Sequence, residues 1–250
     1  MSIIGHYDSE PTAAQHLRGG ARIDRHRHHE HQIVYPSSGA AEVHTELGRW
    51  IAPADRAVWI PAGCWHEHHF HGPTRFHCVG FTPAGAADRT TPAVITVPPL
   101  LRELIIACSD PGELPADELA RLRRVLLDRI RRSPDQELQL PAAVDERLRA
   151  ACALVESDLA IPWSLPALGR RVGASERTLA RLFRTEFALT YPQWRTRLRL
   201  HHAIQLLAAD TSVTAVAHRC GWSSPSAFID VYRHALGHTP GARTRMTPHR

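Results

Sequence analysis

The chain has 250 residues, is 43% hydrophobic and carries a formal net charge of +5, with all 30 basic residues arginine. That length supports one large core or two small ones, and no run approaches the roughly 18 consecutive apolar residues a membrane-crossing helix needs. The opening MSIIGHYDSE lacks a basic segment followed by an apolar one, and the five cysteines (Cys64, Cys78, Cys108, Cys152, Cys220) are odd in number with no CxxC pair. These features speak against a leader peptide, a disulfide framework or a zinc ribbon, and for a cytoplasmic protein with reduced thiols.

From about residue 22 to 81 the sequence alternates short β-rich runs (HQIVYP, AAEVHTE, RAVWIPA, RFHCVGF) with Gly and Pro at close intervals. This pattern predicts a small β-sandwich or barrel. At its start HRHHEHQ, residues 26–32, concentrates four histidines, and 12 of the 18 histidines in the chain precede residue 80. If the segment is a strand, His26, His28, Glu30 and Gln32 project to one face and Arg27, His29 and His31 to the other.

After TPAVITVPP the period changes. Leu100, Leu101, Leu104 and Ile105, then Leu119, Leu122, Leu126 and Ile130, recur every three or four residues and predict two amphipathic helices. Their apolar stripe can cover the sheet or pair with a second copy of the chain. The polar, proline-flanked SPDQELQLP (133–141) reads as a linker. Charge shifts across it: residues 1–144 hold 15 arginines against 17 acidic residues, net −2, whereas residues 145–250 hold 15 against 8, net +7. The basic half is expected to face a polyanion.

Beyond the linker six helices are predicted, the longest over about 192–209, and one unit occurs twice. SLPALGRRVGASERTLARLFRTEF and SVTAVAHRCGWSSPSAFIDVYRHALG each read as helix, turn at a glycine (Gly173, Gly221), then a second helix opened by a serine (Ser175, Ser224). Glycine supplies the left-handed turn and serine caps the next helix, which is helix-turn-helix geometry. Two such units joined by a helix of about 27 Å, at 1.5 Å per residue, set two recognition helices near one DNA turn of about 34 Å.

Residues 145–243 resemble the DNA-binding domain of the AraC/XylS family of bacterial transcription regulators, in particular through LTYPQWRTRLRLHHAIQLLA and GWSSPSAFIDVYRHALGHTP. The resemblance implies a homodimer on double-stranded DNA, with RNA polymerase as partner if the protein activates. It assigns Glu176, Arg177, Ala180 and Arg181 as the outward positions of the first recognition helix, with Thr178 and Arg184, beside the cap Ser175, near the DNA backbone. In the second unit the matching positions are Pro225, Ser226, Ala227, Ile229 and Asp230, with Ser224 and Arg233 helping placement. Arg177 and Arg181, four apart, can both reach guanine edges, whereas Asp230 can accept from cytosine but repels phosphate. Ala188 stands where the family usually has glycine, so a differently built turn is expected there.

Gly20, His26, His28, Gln32 and Gly39 are spaced like the first cupin motif, and PAGCWH (Pro61, Gly63, His66) resembles the second. In metal-binding cupins the positions of His26, His28, Gln32 and His66 would be three histidines and a glutamate; here the glutamate is Gln32. Three neutral imidazoles suit zinc, nickel or copper. Three readings stay open: a divalent transition metal, an organic effector walled by these side chains, or structural histidines. Clustered histidines also raise pH sensing near neutrality.

The expected architecture is α+β: a cupin-like β-barrel sensor (1–98), a helical dimerisation segment (99–132), a linker (133–144) and an all-α double helix-turn-helix domain (145–250). The expected function is a sequence-specific transcription regulator sensing a small molecule or metal. The alternatives are a metal-dependent cupin enzyme with an appended helical domain, disfavoured by the basic half and by Gln32, and a nonspecific nucleic-acid binder, which would lack paired guanine-reading arginines.

Overall fold

The computed structural model describes residues 12–83 and 89–241. The MSIIGHYDSE stretch and Arg243, Arg245 and Arg250 lie outside them. The chain divides into two compact units, residues 1–139 and 140–250.

The first unit is built on a nine-stranded antiparallel sheet. Its strands are β1 (Ala13–Leu17), β2 (Arg22–His26), β3 (His31–Thr45), β4 (Gly48–Pro53), β5 (Arg56–Ile60), β6 (His66–Phe81), β7 (Ala93–Thr96), β8 (Asp135–Gln136) and β9 (Gln139–Pro141). The order is β1-β6-β3-β5-β7-β8, with β2 also on β6, and β4 on β3 and β9. HQIVYP and AAEVHTE, separate runs in the sequence, fuse into β3. Pro36 offers no N–H to a ladder and Gly39 has φ 72°, so the junction is absorbed as two register shifts against β6, between Pro36, Ser38 and Ala40.

Helices α1 (Pro99–Ser109) and α2 (Ala116–Arg132) lie on one face of this sheet. Leu101, Leu104, Ile105, Cys108, Leu126 and Ile130 pack with Ile33, Tyr35, Trp59, Val79, Phe81 and Ile95 in one cluster, and Leu119 and Leu122 flank it. The stripe of both helices is therefore spent on the sheet, each buried Leu or Ile contributing about 1.5–3 kcal/mol; Leu100 and Val125 remain exposed. The segment expected as a linker carries β8 and β9. Asp135 and Gln136 pair with Ile95 and Val94 of β7, and the division of the chain into its two units falls within β9.

The second unit consists of α3 (Glu146–Ser157), α4 (Leu165–Val172), α5 (Glu176–Phe187), α6 (Tyr191–Ala208), α7 (Val213–Arg219) and α8 (Pro225–Leu236). All four helices of the two repeated units begin on a serine hydroxyl that accepts from a backbone N–H: Ser164 from Ala167, Ser175 from Thr178, Ser212 from Ala215 and Ser224 from Ala227. Each such cap contributes about 1 kcal/mol. α6 opens with a capping box in which Thr190 and Gln193 exchange bonds. At the first turn Gly173 is left-handed, φ 66°. At the second, Gly221 has φ 73°, and a side chain there would meet the Leu159 carbonyl oxygen at 2.2 Å. Ala188 corrects an expectation: it adopts the left-handed conformation itself, φ 54°, and its N–H reaches the Arg184 carbonyl. The turn keeps the glycine-type form despite a strain of about 1 kcal/mol.

Candidate functional site

In the first unit, β2 and β6 pair with His26 opposite His66 across a register shift. This brings His26 and His66 to 4.3 Å between ring centroids, with His28 5.0 Å and His68 5.1 Å from His66. One ring nitrogen from each of His26, His66 and His68 lies within 4.8 Å of the others. Gln32 is buried and its side chain faces His28. All four sequence-predicted residues thus meet in one place, and His68 joins them.

Two details bear on what this cluster can hold. His26, His28 and His66 each direct Nδ1 at a backbone carbonyl, of Asp24 (2.8 Å), Glu30 (2.8 Å) and Cys64 (2.9 Å). A neutral ring donating from Nδ1 presents an Nε2 lone pair, the ligating form of imidazole. Nε2 of His66 and Nδ1 of His68 are buried and make no hydrogen bond, while the Gln32 side chain stands beside the buried His28 ring. Burial, then the neighbouring His26, pushes His66 down to about 3. Burial likewise lowers His68 and His28. Burial thus favours the neutral form of all three rings. The arrangement is a set of uncharged nitrogen donors inside a protein that has withheld other partners from them, which fits a borderline divalent metal ion.

The route to this cluster differs from simple strand alternation. Residues 27–30 lie outside any strand, between β2 and β3, so His28 reaches the cluster from a turn. His68 was missed, although its spacing of two from His66 within one strand is a same-face signal. Of the other histidines, His77 is a buried structural link between Ser109 Oγ (2.8 Å) on α1 and Ser37 Oγ (3.0 Å), its pKa lowered to about 4 by burial and then by Arg75.

In the second unit, α5 buries Leu179, Leu182, Phe183 and Phe187. Its opposite side exposes Glu176, Arg177, Arg181 and Arg184, with Thr178 and Ala180 half-buried. Among the described residues, the guanidinium groups of Arg177, Arg181 and Arg184 have no hydrogen bond or ion pair. The Ser175 hydroxyl serves the helix cap and also meets Thr178 Oγ1 at 2.8 Å. α8 buries Phe228, Tyr232 and Leu236 and exposes Ser226, Asp230 and Arg233, while Ser224, Pro225, Ala227 and Ile229 are half-buried. Arg233 pairs with Asp230 at 3.1 Å, so one acidic and one basic group on this face neutralise each other.

Comparison with known proteins identifies both units. The model of the AraC-like ligand binding domain matches residues 13–156, more than half of the chain, and that of a helix-turn-helix domain matches residues 168–246. The HTH-type transcriptional regulator NimR of Escherichia coli K12 is 34% identical over 221 residues, spanning 86% of this chain and 80% of that protein. The porin thermoregulatory protein EnvY of the same organism is 33% identical over 92 residues, 36% of each chain. Among solved structures, the DNA-binding domain of AdpA in complex with a target DNA is 33% identical, covering 40% of this chain and 90% of that one, at a TM-score of 0.37. No helix among the described residues is long and apolar enough to cross a membrane. The chain belongs to the AraC family of transcriptional regulators, with a ligand-binding domain followed by a DNA-binding helix-turn-helix domain.

Proposed function

We infer that this regulator reads its operator chiefly through α5 and is controlled by a divalent transition metal, zinc, nickel or copper, held in the first unit. The observation that carries the DNA reading is the row of exposed arginines on a serine-capped helix, free of bonds to other described residues. Arg177 and Arg181 contact guanine edges, Glu176 and Ala180 lie over the bases between them, and Ser175, Thr178 and Arg184 position the helix on phosphates. α8 contributes placement through Ser224, Ser226, Ala227 and Arg233, with Asp230 holding Arg233. The protein acts in the cytoplasm as a homodimer on two half-sites, and meets RNA polymerase where it activates.

His26, His66 and His68 supply the ring nitrogens for the ion and His28 stands beside them, with Gln32 oriented toward His28. Bound there, the ion would crosslink β2 and β6, which favours one arrangement of the sheet over another and so gives the domain something to signal. Gln32 in place of a carboxylate leaves the set without an anionic ligand, which argues for sensing and against a cupin enzyme.

Binding of the full chain to mapped operator and to random DNA tests the first part. Arg181→Ala lowers the specific-to-nonspecific ratio and Arg184→Ala weakens both alike; equal losses for both variants would reassign these residues. Metal analysis of untagged protein tests the second. At least one ion per chain that survives dialysis and is lost in His26→Gln/His66→Gln supports it, and none, with saturable binding of an organic effector instead, replaces it.

A further inference from the structure

The strand that carries His66 and His68 has a second, differently composed cluster on its other face. Alternation along β6 sends Glu67, His69 and His71 away from the interior histidines, and the ladder sets His44 opposite Glu67, Glu42 opposite His69 and Ala40 opposite His71. Glu67 Oε1 lies 2.9 Å from His69 Nε2 and 3.3 Å from His44 Nδ1. The rings of His44 and His69 stack, centroids 4.2 Å apart at 22°, so both present an edge to the same carboxylate. One ligand atom from each of His44, Glu67 and His69 lies within 4.8 Å of the others. The side chains are 26%, 36% and 20% exposed, so solvent reaches them.

A neutral imidazole has one N–H to donate and one lone pair to offer, and an imidazolium has two N–H groups. His44 faces a carboxylate on both edges, Glu67 from Nδ1 and Glu42 from Nε2, the latter at 3.1 Å. That Nε2 is shielded from solvent and makes no hydrogen bond of good geometry. Glu42, with a side chain 3% exposed, is itself held by His71 Nε2 at 3.0 Å. The arrangement is a carboxylate buried behind a histidine, which in turn points at two further donors. Positioning residues behind ligating histidines have this form.

We propose that His44, Glu67 and His69 form a second metal site on the outer face of the sheet, with Glu42 and His71 orienting His44. Arg22 and Arg49 stand opposite His69 and His44 in the ladder and balance the two carboxylates. The site therefore draws an ion through its lone pairs more than through net charge. Two nitrogens and one oxygen select a borderline ion such as zinc over magnesium or calcium. Partial exposure leaves coordination positions for water. Each ring binds through the lone pair of one nitrogen and keeps its proton on the other.

The test is zinc binding to the full untagged chain after metal removal, read as ions per chain by mass spectrometry and as affinity by calorimetry. Cobalt(II) absorption serves as a second probe. Wild type takes two zinc ions. Glu67→Gln/His69→Gln takes one and loses at least tenfold in affinity for the other, while the ion it retains reports an intact sheet. His26→Gln/His66→Gln loses the complementary ion. Should the outer pair of changes disturb folding, Glu67→Gln alone keeps the side-chain size and carries the same expectation. Two ions of unchanged affinity in the outer variants overturn the second site, as does a single wild-type ion that they retain. A single ion that vanishes only with the outer changes instead sinks the interior metal site and leaves this one standing.

Discussion

The two helix-turn-helix units share a plan and differ in finish. Both run helix, glycine turn, serine cap, helix, yet α5 presents three arginines with no partner among the described residues, while α8 ties its exposed arginine to Asp230 at 3.1 Å. The ends differ in the opposite sense. α8 stops on Gly237, φ 83°, where a left-handed backbone is unstrained; α5 stops on Ala188, φ 54°, where it is not. At the turns, a side chain added at Gly173 meets nothing within 4 Å, whereas one at Gly221 collides with the Leu159 carbonyl. The first unit is chemically equipped and conformationally imperfect, and the second is tightly built and chemically quiet. The same motif thus occurs in two differently finished copies, and the proposed division between reading and anchoring rests on that difference.

That contrast can be broken at several points. The largest effect is expected at the turns: Gly221→Ala, strained in φ and clashing with backbone, should cost about 2–4 kcal/mol of stability, and Gly173→Ala only about 1. Comparable losses in denaturant unfolding would mean that the second unit is no more tightly built than the first. Next, Arg177→Ala and Arg181→Ala should each lower the ratio of operator to random-DNA affinity by about 10- to 100-fold, equivalent to 1–3 kcal/mol, whereas Asp230→Ala should leave that ratio nearly unchanged. A larger fall for Asp230→Ala would exchange the roles of the two helices. Losing the Ser175 cap through Ser175→Ala should cost about 1 kcal/mol, and Ser224→Ala a similar amount, in thermal unfolding; a loss confined to DNA affinity would make the hydroxyl a phosphate contact alone. The smallest effect carries the opposite sign. Ala188→Gly should stabilise by about 0.5–1 kcal/mol, seen as a higher unfolding midpoint, and a lower midpoint would show that the alanine is compensated elsewhere.

The helical half was legible because its signals are local. Period, capping serine and turn glycine sit within a few residues of each other, and α6 begins and ends within one residue of its expected bounds. The sheet was harder. Nothing near Pro36 announces that β3 continues through it, since that depends on how β6 accommodates two register shifts. His26, His28, Gln32 and His66 were found by motif spacing and His68 has a local same-face signal, but the meeting of His44 with Glu67 and His69 depends on which strands lie side by side, a long-range property. The turn geometry at residues 27–30 defeated the simple alternation rule. At Ala188, local propensity pointed to a rearranged turn, and packing by Leu182, Phe183 and Phe187 against the rest of the unit overrode it.

HEHHFH, residues 66–71, is written for two readers at once, since its odd and even letters answer to opposite sides of one pleat. Inserting or deleting one residue before His66 would turn the segment over, delivering a glutamate to the interior and two neutral rings to solvent. Individual letters there can be exchanged at the expense of one side, but the spelling tolerates no shift in frame.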